Sequence, residues 1–241
     1  SGGIDSAVVS TLAAMTGRRT LCVTLPIHQA QAQVDRAGEH VRRLTERYSN
    51  AEAAHADLTA AYDAFAGSFA PSLVQGAGKG VADLAGANAR SRLRLTALYY
   101  FAGLNNLLVA GTGNKIEDFG VGFFTKYGDG GVDISPIADL TKTEVYELGR
   151  WLRVPEAILV APPTDGLFGD DRTDEQQIGA TYPELERAMA HAERGTDPAL
   201  LSGREREVYD IFLRRNRANR HKMEPIPVCR IPRYLVEPAG R

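Results

Sequence analysis

The chain opens on Ser1-Gly2-Gly3-Ile4-Asp5-Ser6, and this hexapeptide limits the fold more than its composition does. Two consecutive glycines let a backbone approach a ligand with no Cβ in the way. The flanking serines add hydroxyl donors, and Asp5 adds a carboxylate able to hold a cation. Ala7 to Met15 reads as a helix, so the loop delivers its N–H groups at a helix N-terminus, a ready site for an anionic group such as pyrophosphate. A glycine turn capping an ordinary helix would need neither the hydroxyls nor the acid. A loop of this kind needs a strand feeding it. None precedes Ser1, so a first strand before Ser1 is expected to belong to the natural fold.

The rest of the chain alternates strand and helix. Thr20 to Leu25 (TLCVTL) is short, apolar and β-branched, as a buried parallel strand is. Gln29 to Tyr48 is helical, with Val34, Ala37, Val41, Leu44 and Tyr48 on one face. Ala51 to Leu58 reads as a weaker strand and Thr59 to Phe65 as a helix. The glycine-rich stretch from Gln75 to Gly80 breaks the pattern. Helix returns from Asn88 to Gly103, and Asn106 to Ala110 (NLLVA) reads as a strand running into Gly111-Thr112-Gly113. This order predicts an α/β fold with a Rossmann-like, doubly wound parallel sheet, whose ligands sit at the carboxyl ends of the strands. The C-terminal third is mainly helical. Thr141-Lys142-Thr143-Glu144 is a capping box opening a helix through Trp151, and Tyr182 to Glu193 and Glu205 to Arg220 are further helices. Pro162 to Asp174, dense in proline, glycine and acid, reads as a mobile loop. No internal repeat and no sharp shift in composition divides residues 1–241, which read as one domain.

Composition narrows the function. The 241 residues carry a net charge of −2, so no global attraction to nucleic acid or membrane is expected. No apolar run approaches the length of a membrane span. Cys22 and Cys229 are the two cysteines, which fits a reduced cytoplasmic protein better than a disulfide scaffold. Gly76 to Gly80 imitates a phosphate loop but has glycine where Ser or Thr should follow Lys79.

Two later segments carry chemistry. Gly111 to Glu117 (GTGNKIE) follows a strand and contains Thr112 and Glu117. A carboxylate there, near Asp5, would let both hold one Mg²⁺ with phosphate oxygens; a lone Glu117 would read as a solvated helix residue. Phe123 to Asp133 (FFTKYGDGGVD) packs Lys126, Asp129 and Asp133 among glycines, either as a binding loop or as a plain turn joining two elements. Arg90 and Arg94 share a helix face and Arg92 points elsewhere. Arg204 to Lys222 holds seven Lys and Arg against three acids, which reads mostly as a solvated helix whose late positive charge complements its dipole.

The opening hexapeptide resembles the Ser-Gly-Gly-x-Asp-Ser loop of the N-type ATP pyrophosphatases. GTGNKIE followed by GFFTKYGDGGVD, then Lys142, Ala161-Pro162-Pro163-Thr164-Asp165 and His221-Lys222, resembles the NAD synthetases within that group. The resemblance implies an adenine nucleotide alpha-hydrolase-like fold. It implies ATP, deamido-NAD and ammonia as substrates, with NAD, AMP and pyrophosphate as products. It implies that Ser1, Gly2, Gly3, Ile4, Asp5 and Ser6 hold the ATP phosphates, that Thr112, Lys142 and Thr164 contact ATP, and that Asp5 and Glu117 ligate Mg²⁺. Arg92, Lys126, Asp133, His221 and Lys222 fall on deamido-NAD contacts. Lys142 and Asp5 take catalytic roles, and Asp129 falls near the reacting centre, where it would help deprotonate ammonium. Homodimers are the family expectation. Gly113-Asn114-Lys115 departs from the Asp-His-Ala of some bacterial members.

Overall fold

A computed structural model of the chain describes residues 1–70, 76, 78–164 and 173–232. The elements are α1 (Ile4–Met15), β1 (Thr20–Thr24), α2 (Gln31–Arg47), β2 (Ala51–His55), α3 (Thr59–Gly67) and α4 (Lys79–Asn105). A π-helix follows (Lys115–Val121), then α5 (Lys142–Trp151), α6 (Glu156–Leu159), α7 (Asp174–Ile178), α8 (Tyr182–Glu193) and α9 (Gly203–Met223), with a 3₁₀ turn at Pro198–Leu200. Among the described residues no helix is long and apolar enough to cross a membrane.

The architecture is α/β with a small parallel sheet and a helical C-terminal part. β1 and β2 pair in parallel from Thr20↔Ala51 to Thr24↔His55, with α2 as the crossover. The expected strand Asn106 to Ala110 is reduced to one parallel bridge, Ala110↔Ile134. Two local features explain the reduction. Asn106 adopts a left-handed conformation to end α4, and the Asp133 carboxylate takes the Val109 N–H at 2.8 Å, a donor that a ladder would use. Among the described residues the wide doubly wound sheet is therefore not seen. α4 begins nine residues earlier than the periodicity placed it, at Lys79. Its first turn is capped by the Gly78 carbonyl and carries an i,i+4 pair between Lys79 and Asp83.

Two apolar clusters place the rest. In the first, Ile4, Ala7, Val8 and Val9 of α1 pack against Val145 of α5 and Ile158 of α6. A Cβ at Gly149 would lie 2.6 Å from Ile4 Cδ1, so glycine lets α5 press onto α1. In the second, Ile116 and Val121 of the π-helix pack with Leu185 and Ala188 of α8 and Val208, Tyr209 and Phe212 of α9. The capping box of α5 forms as the sequence predicts, with Thr141 and Glu144 exchanging hydrogen bonds.

A buried polar contact pins α2 to α1. His40 Nε2 lies 2.9 Å from Ser10 Oγ. Ser10 directs its hydroxyl to Ser6 O at 2.7 Å, which leaves His40 to donate. Burial lowers the His40 pKa to about 4. An imidazole depressed from about 6.5 keeps its stabilising effect above that value and loses it as pH falls towards 4, because the unfolded chain takes up the proton first. Urea unfolding at pH 7 and pH 4 should show the wild type losing on the order of 3 kcal/mol from this group, and His40→Gln should lose correspondingly less. Equal losses in the two proteins would contradict the assignment.

Candidate active site

Helix packing brings the opening loop, the π-helix and α5 to one place. Gly2 has φ +81°, and a Cβ there would lie 2.6 Å from Gln33 O, so the loop can pass α2 as glycine alone. Gly3 precedes α1, which has no side-chain cap, so the first-turn N–H groups remain available to an anion. The Ser1 and Ser6 hydroxyls lie 2.8 Å apart, and Ser6 also donates to Gly3 O at 3.1 Å. The Ile4 side chain is buried in the first apolar cluster, so a phosphate would meet its backbone and not its side chain.

Asp5 is the second residue of α1 and Lys142 the first of α5, and these two packed helices set them face to face. Lys142 Nζ lies 2.6 Å from Asp5 Oδ2 and 2.9 Å from Glu117 Oε1. The same ammonium stands 4.9 Å from the centroid of the Tyr182 ring. Lys142 is 3% exposed. Burial alone would lower its pKa, but the carboxylates of Asp5 and Glu117 outweigh it and hold the lysine well above its ordinary value. Lys142 therefore stays protonated.

Each carboxylate has a second, neutral donor. Asn114 Nδ2 donates to Asp5 Oδ1 at 3.0 Å. Tyr182 OH donates to Glu117 Oε1 and lies 3.4 Å from Asp174 Oδ2. Burial first, then Glu117 and Asp174, push the Tyr182 phenol far above its usual value, so it stays a donor. Asn114 is fully buried, and its Oδ1 accepts from Ile116 N at 3.1 Å and Glu117 N at 3.0 Å, which starts the π-helix. Beside Glu117, the Asp118 carboxyl is pushed up to about 7 by burial first, then by Glu117, Asp129 and Asp5. Sequence reasoning missed Asn114, Asp118, Asp174 and Tyr182. An Asn three residues before Glu117 is a capping signal; nothing in the sequence marked Tyr182.

The donor set suits a hard cation. Among the described residues no three His, Cys, Asp or Glu side chains are grouped to hold a metal unaided. Asp5 and Glu117 converge on one cation, the Lys142 ammonium, and Mg²⁺ characteristically takes one or two carboxylates with phosphate oxygens and water. Two carboxylates beside an uncapped helix N-terminus fit that pattern.

The second group of expected residues meets at the Phe123 to Asp133 turn and the end of α9. Arg92 Nε donates to Lys126 O at 3.2 Å. Lys126 Nζ donates to the backbone carbonyl of the exposed His221. Lys222 Nζ donates to Gly122 O at 2.9 Å and Phe124 O at 2.8 Å, and burial lowers its pKa. Asp129 Oδ1 accepts from Ser91 Oγ at 2.7 Å and Thr125 N at 3.0 Å, which ties the turn to α4. Asp133 stands apart, holding Tyr99 OH at 3.0 Å and the Val109 N–H. Thr112 is half-buried between the Ala110 bridge and the π-helix. Thr164 ends the described segment beside Pro163, whose carbonyl accepts from Asp174 N at 3.0 Å. Most of the expected mobile loop, residues 165–172, lies outside the described residues, as do Gln75 and Ala77; Asp174, at its far end, begins α7. Arg94, unassigned from the sequence, donates to Leu25 O at 2.9 Å at the end of β1.

A model of the NAD synthase family matches residues 1–226. The NH(3)-dependent NAD(+) synthetase of Carboxydothermus hydrogenoformans is 38% identical over 223 residues, covering 92% of this chain and 83% of that relative. The synthetase of the same description from Syntrophomonas wolfei is 38% identical over 235 residues, covering 98% and 87%. A solved structure of NMN synthetase from Francisella tularensis superposes with a TM-score of 0.80 at 32% identity, covering 96% of this chain and 87% of that one.

Gly113 tests the local geometry. A Cβ there would lie 1.9 Å from Asp118 Oδ2, so Gly113→Ala should cost about 1–3 kcal/mol by overpacking and lower turnover by displacing Glu117. Adding Asp118→Ala should recover most of the stability, a coupling that a double-mutant cycle by urea unfolding reads directly. A wild-type unfolding midpoint for Gly113→Ala would show that the carboxyl does not occupy this position.

Proposed function

The chain belongs to the NAD synthase family, and from that premise we propose that it amidates deamido-NAD to NAD with ammonia at the cost of ATP, releasing AMP and pyrophosphate. The Lys142 ammonium between Asp5 and Glu117, beside an uncapped helix N-terminus, carries this reading. A carboxylate is a poor acylating group, so the nicotinate oxygen attacks the α-phosphorus and pyrophosphate leaves. Ammonia then adds to the activated carbonyl, and AMP departs with the oxygen that joined it to the carbonyl. The protein contributes positioning and charge stabilisation. The backbone from Ser1 to Ser6 and the α1 terminus receive the phosphates, Lys142 neutralises charge on the leaving pyrophosphate, and Thr112 and Thr164 complete the ATP contacts. A magnesium ion held by Asp5 and Glu117 would supply further positive charge there. Arg92, Lys126, Asp133, His221 and Lys222 hold deamido-NAD. Asp129, whose charge is felt by Asp118, receives a proton from ammonium. The relatives' description as NH(3)-dependent supports ammonia as the nitrogen source. Burial raises the Cys22 thiol pKa, which makes it a poor glutaminase nucleophile. The free cysteines support a cytoplasmic enzyme, and the exposed Tyr100, Leu104 and Leu108 support a homodimer.

A second reading follows from the likeness to an NMN synthetase: the acceptor is nicotinic acid mononucleotide. One experiment separates the two. Purified protein is given ATP, Mg²⁺, ammonium and either acceptor, and the products are quantified. The expected result is AMP, pyrophosphate and NAD in equal amounts, with Glu117→Gln slower by about 10²–10³-fold, the scale of one lost electrostatic contact. Faster turnover of the mononucleotide would establish the second reading, and stoichiometric ADP would overturn both.

A further inference from the structure

The pairing of donors around Asp5 and Glu117 is asymmetric in charge. Each carboxylate accepts from Lys142, which they share, and from one neutral group of its own. Asn114 holds Asp5 Oδ1 at 3.0 Å, and Tyr182 holds Glu117 Oε1. We propose that Lys142 keeps the place of a divalent cation between Asp5 and Glu117 and gives it up when ATP binds, with Asn114 and Tyr182 as the positioning residues that hold the two carboxylates during the exchange.

A lysine ammonium and a divalent metal compete for the same carboxylate oxygens. The lysine stem is long and flexible, so its charge can move from carboxylate to phosphate without moving α5. The neutral donors are differently built. Asn114 is fully buried and fastened at Oδ1 to two N–H groups of the π-helix. Tyr182 is 4% exposed and anchored by its own N–H to Glu175 Oε1 at 2.9 Å. Neither can follow the lysine. Once the ammonium moves, two carboxylates face each other with like charge, and fixed hydrogen bonds keep them from turning away. The Tyr182 phenol also faces Asp174 Oδ2 at 3.4 Å, at the start of the helix that follows residues 165–172.

The proposal rests on reading this place as the ATP–magnesium site, but its test needs no acceptor. Mn²⁺ binding without nucleotide is followed by electron paramagnetic resonance. Lys142→Met should bind Mn²⁺ at least tenfold more tightly than the wild type, and adding Tyr182→Phe should remove most of that gain. In a second measurement, calorimetric titration of ATP at varied Mg²⁺, Tyr182→Phe keeps the ring and loses the hydroxyl. Its half-saturating Mg²⁺ should rise about tenfold, the size of one hydrogen bond to a charged group, while the ATP affinity reached at saturating Mg²⁺ stays at the wild-type value. Equal Mn²⁺ affinity in wild type and Lys142→Met would overturn the exchange. An unchanged Mg²⁺ requirement in Tyr182→Phe would overturn the positioning role, and would do so even if Lys142→Met failed to fold. Failure to amidate deamido-NAD, measured separately on the wild type, would count against the proposed reaction and leave the metal titrations unaffected.

Discussion

The buried ammonium of Lys142 is the interaction on which the rest of the site depends. It is 3% exposed and held at 2.6 and 2.9 Å by carboxylates from two other segments. Removing one member of such a cluster leaves an uncompensated charge away from water, at a cost of about 3–5 kcal/mol. α1, the π-helix and α5 are therefore held in one arrangement by charge as well as by packing. The arrangement has a functional direction. Asp5 and Glu117 close on the ammonium with two carboxylates, so the place favours cations, and the α1 terminus beside it favours anions.

Close approach makes that geometry possible. Gly149 lets α5 lie against Ile4, Gly2 lets the loop pass Gln33, and Gly113 makes room for the Asp118 carboxyl. The π-helix is an uncommon conformation, often found at functional sites. Here Asn114 opens it, and apolar side chains of α8 and α9 hold its other face. Glu117 thus connects Lys142 of α5 to Tyr182 of the helical C-terminal part. The turn around Asp129 reaches α4 through Ser91 and the end of α9 through Lys126.

Local signals in the sequence were legible where short-range physics decides. The opening loop, α1, β1 and the α5 capping box follow from glycine, β-branching and side-chain caps, and each appears in place. Asp5, Glu117 and Lys142, singled out by their motifs, meet in one place. What the sequence concealed depended on contacts between distant residues. Asn106 to Ala110 has strand composition, yet Asp133 captures the Val109 N–H. The π-helix has no periodic signature and exists because Asn114 caps it. Tyr182 is separated from Glu117 by sixty-five residues, and its role arises from the packing of α8 on the π-helix. Asp133 and Lys222, marked by motif as ligand contacts, also hold backbone groups here, which motif spacing alone does not reveal.

In the proposed reaction this charge cluster serves transfer of an adenylyl group to a carboxylate. Following oxygen tests it most directly. Deamido-NAD labelled with ¹⁸O in the nicotinate carboxylate is converted with ATP and ammonium, and the products are read by mass spectrometry. AMP from every turnover should carry one labelled oxygen and pyrophosphate should carry none. Label in pyrophosphate, or AMP free of label while NAD accumulates, would contradict it.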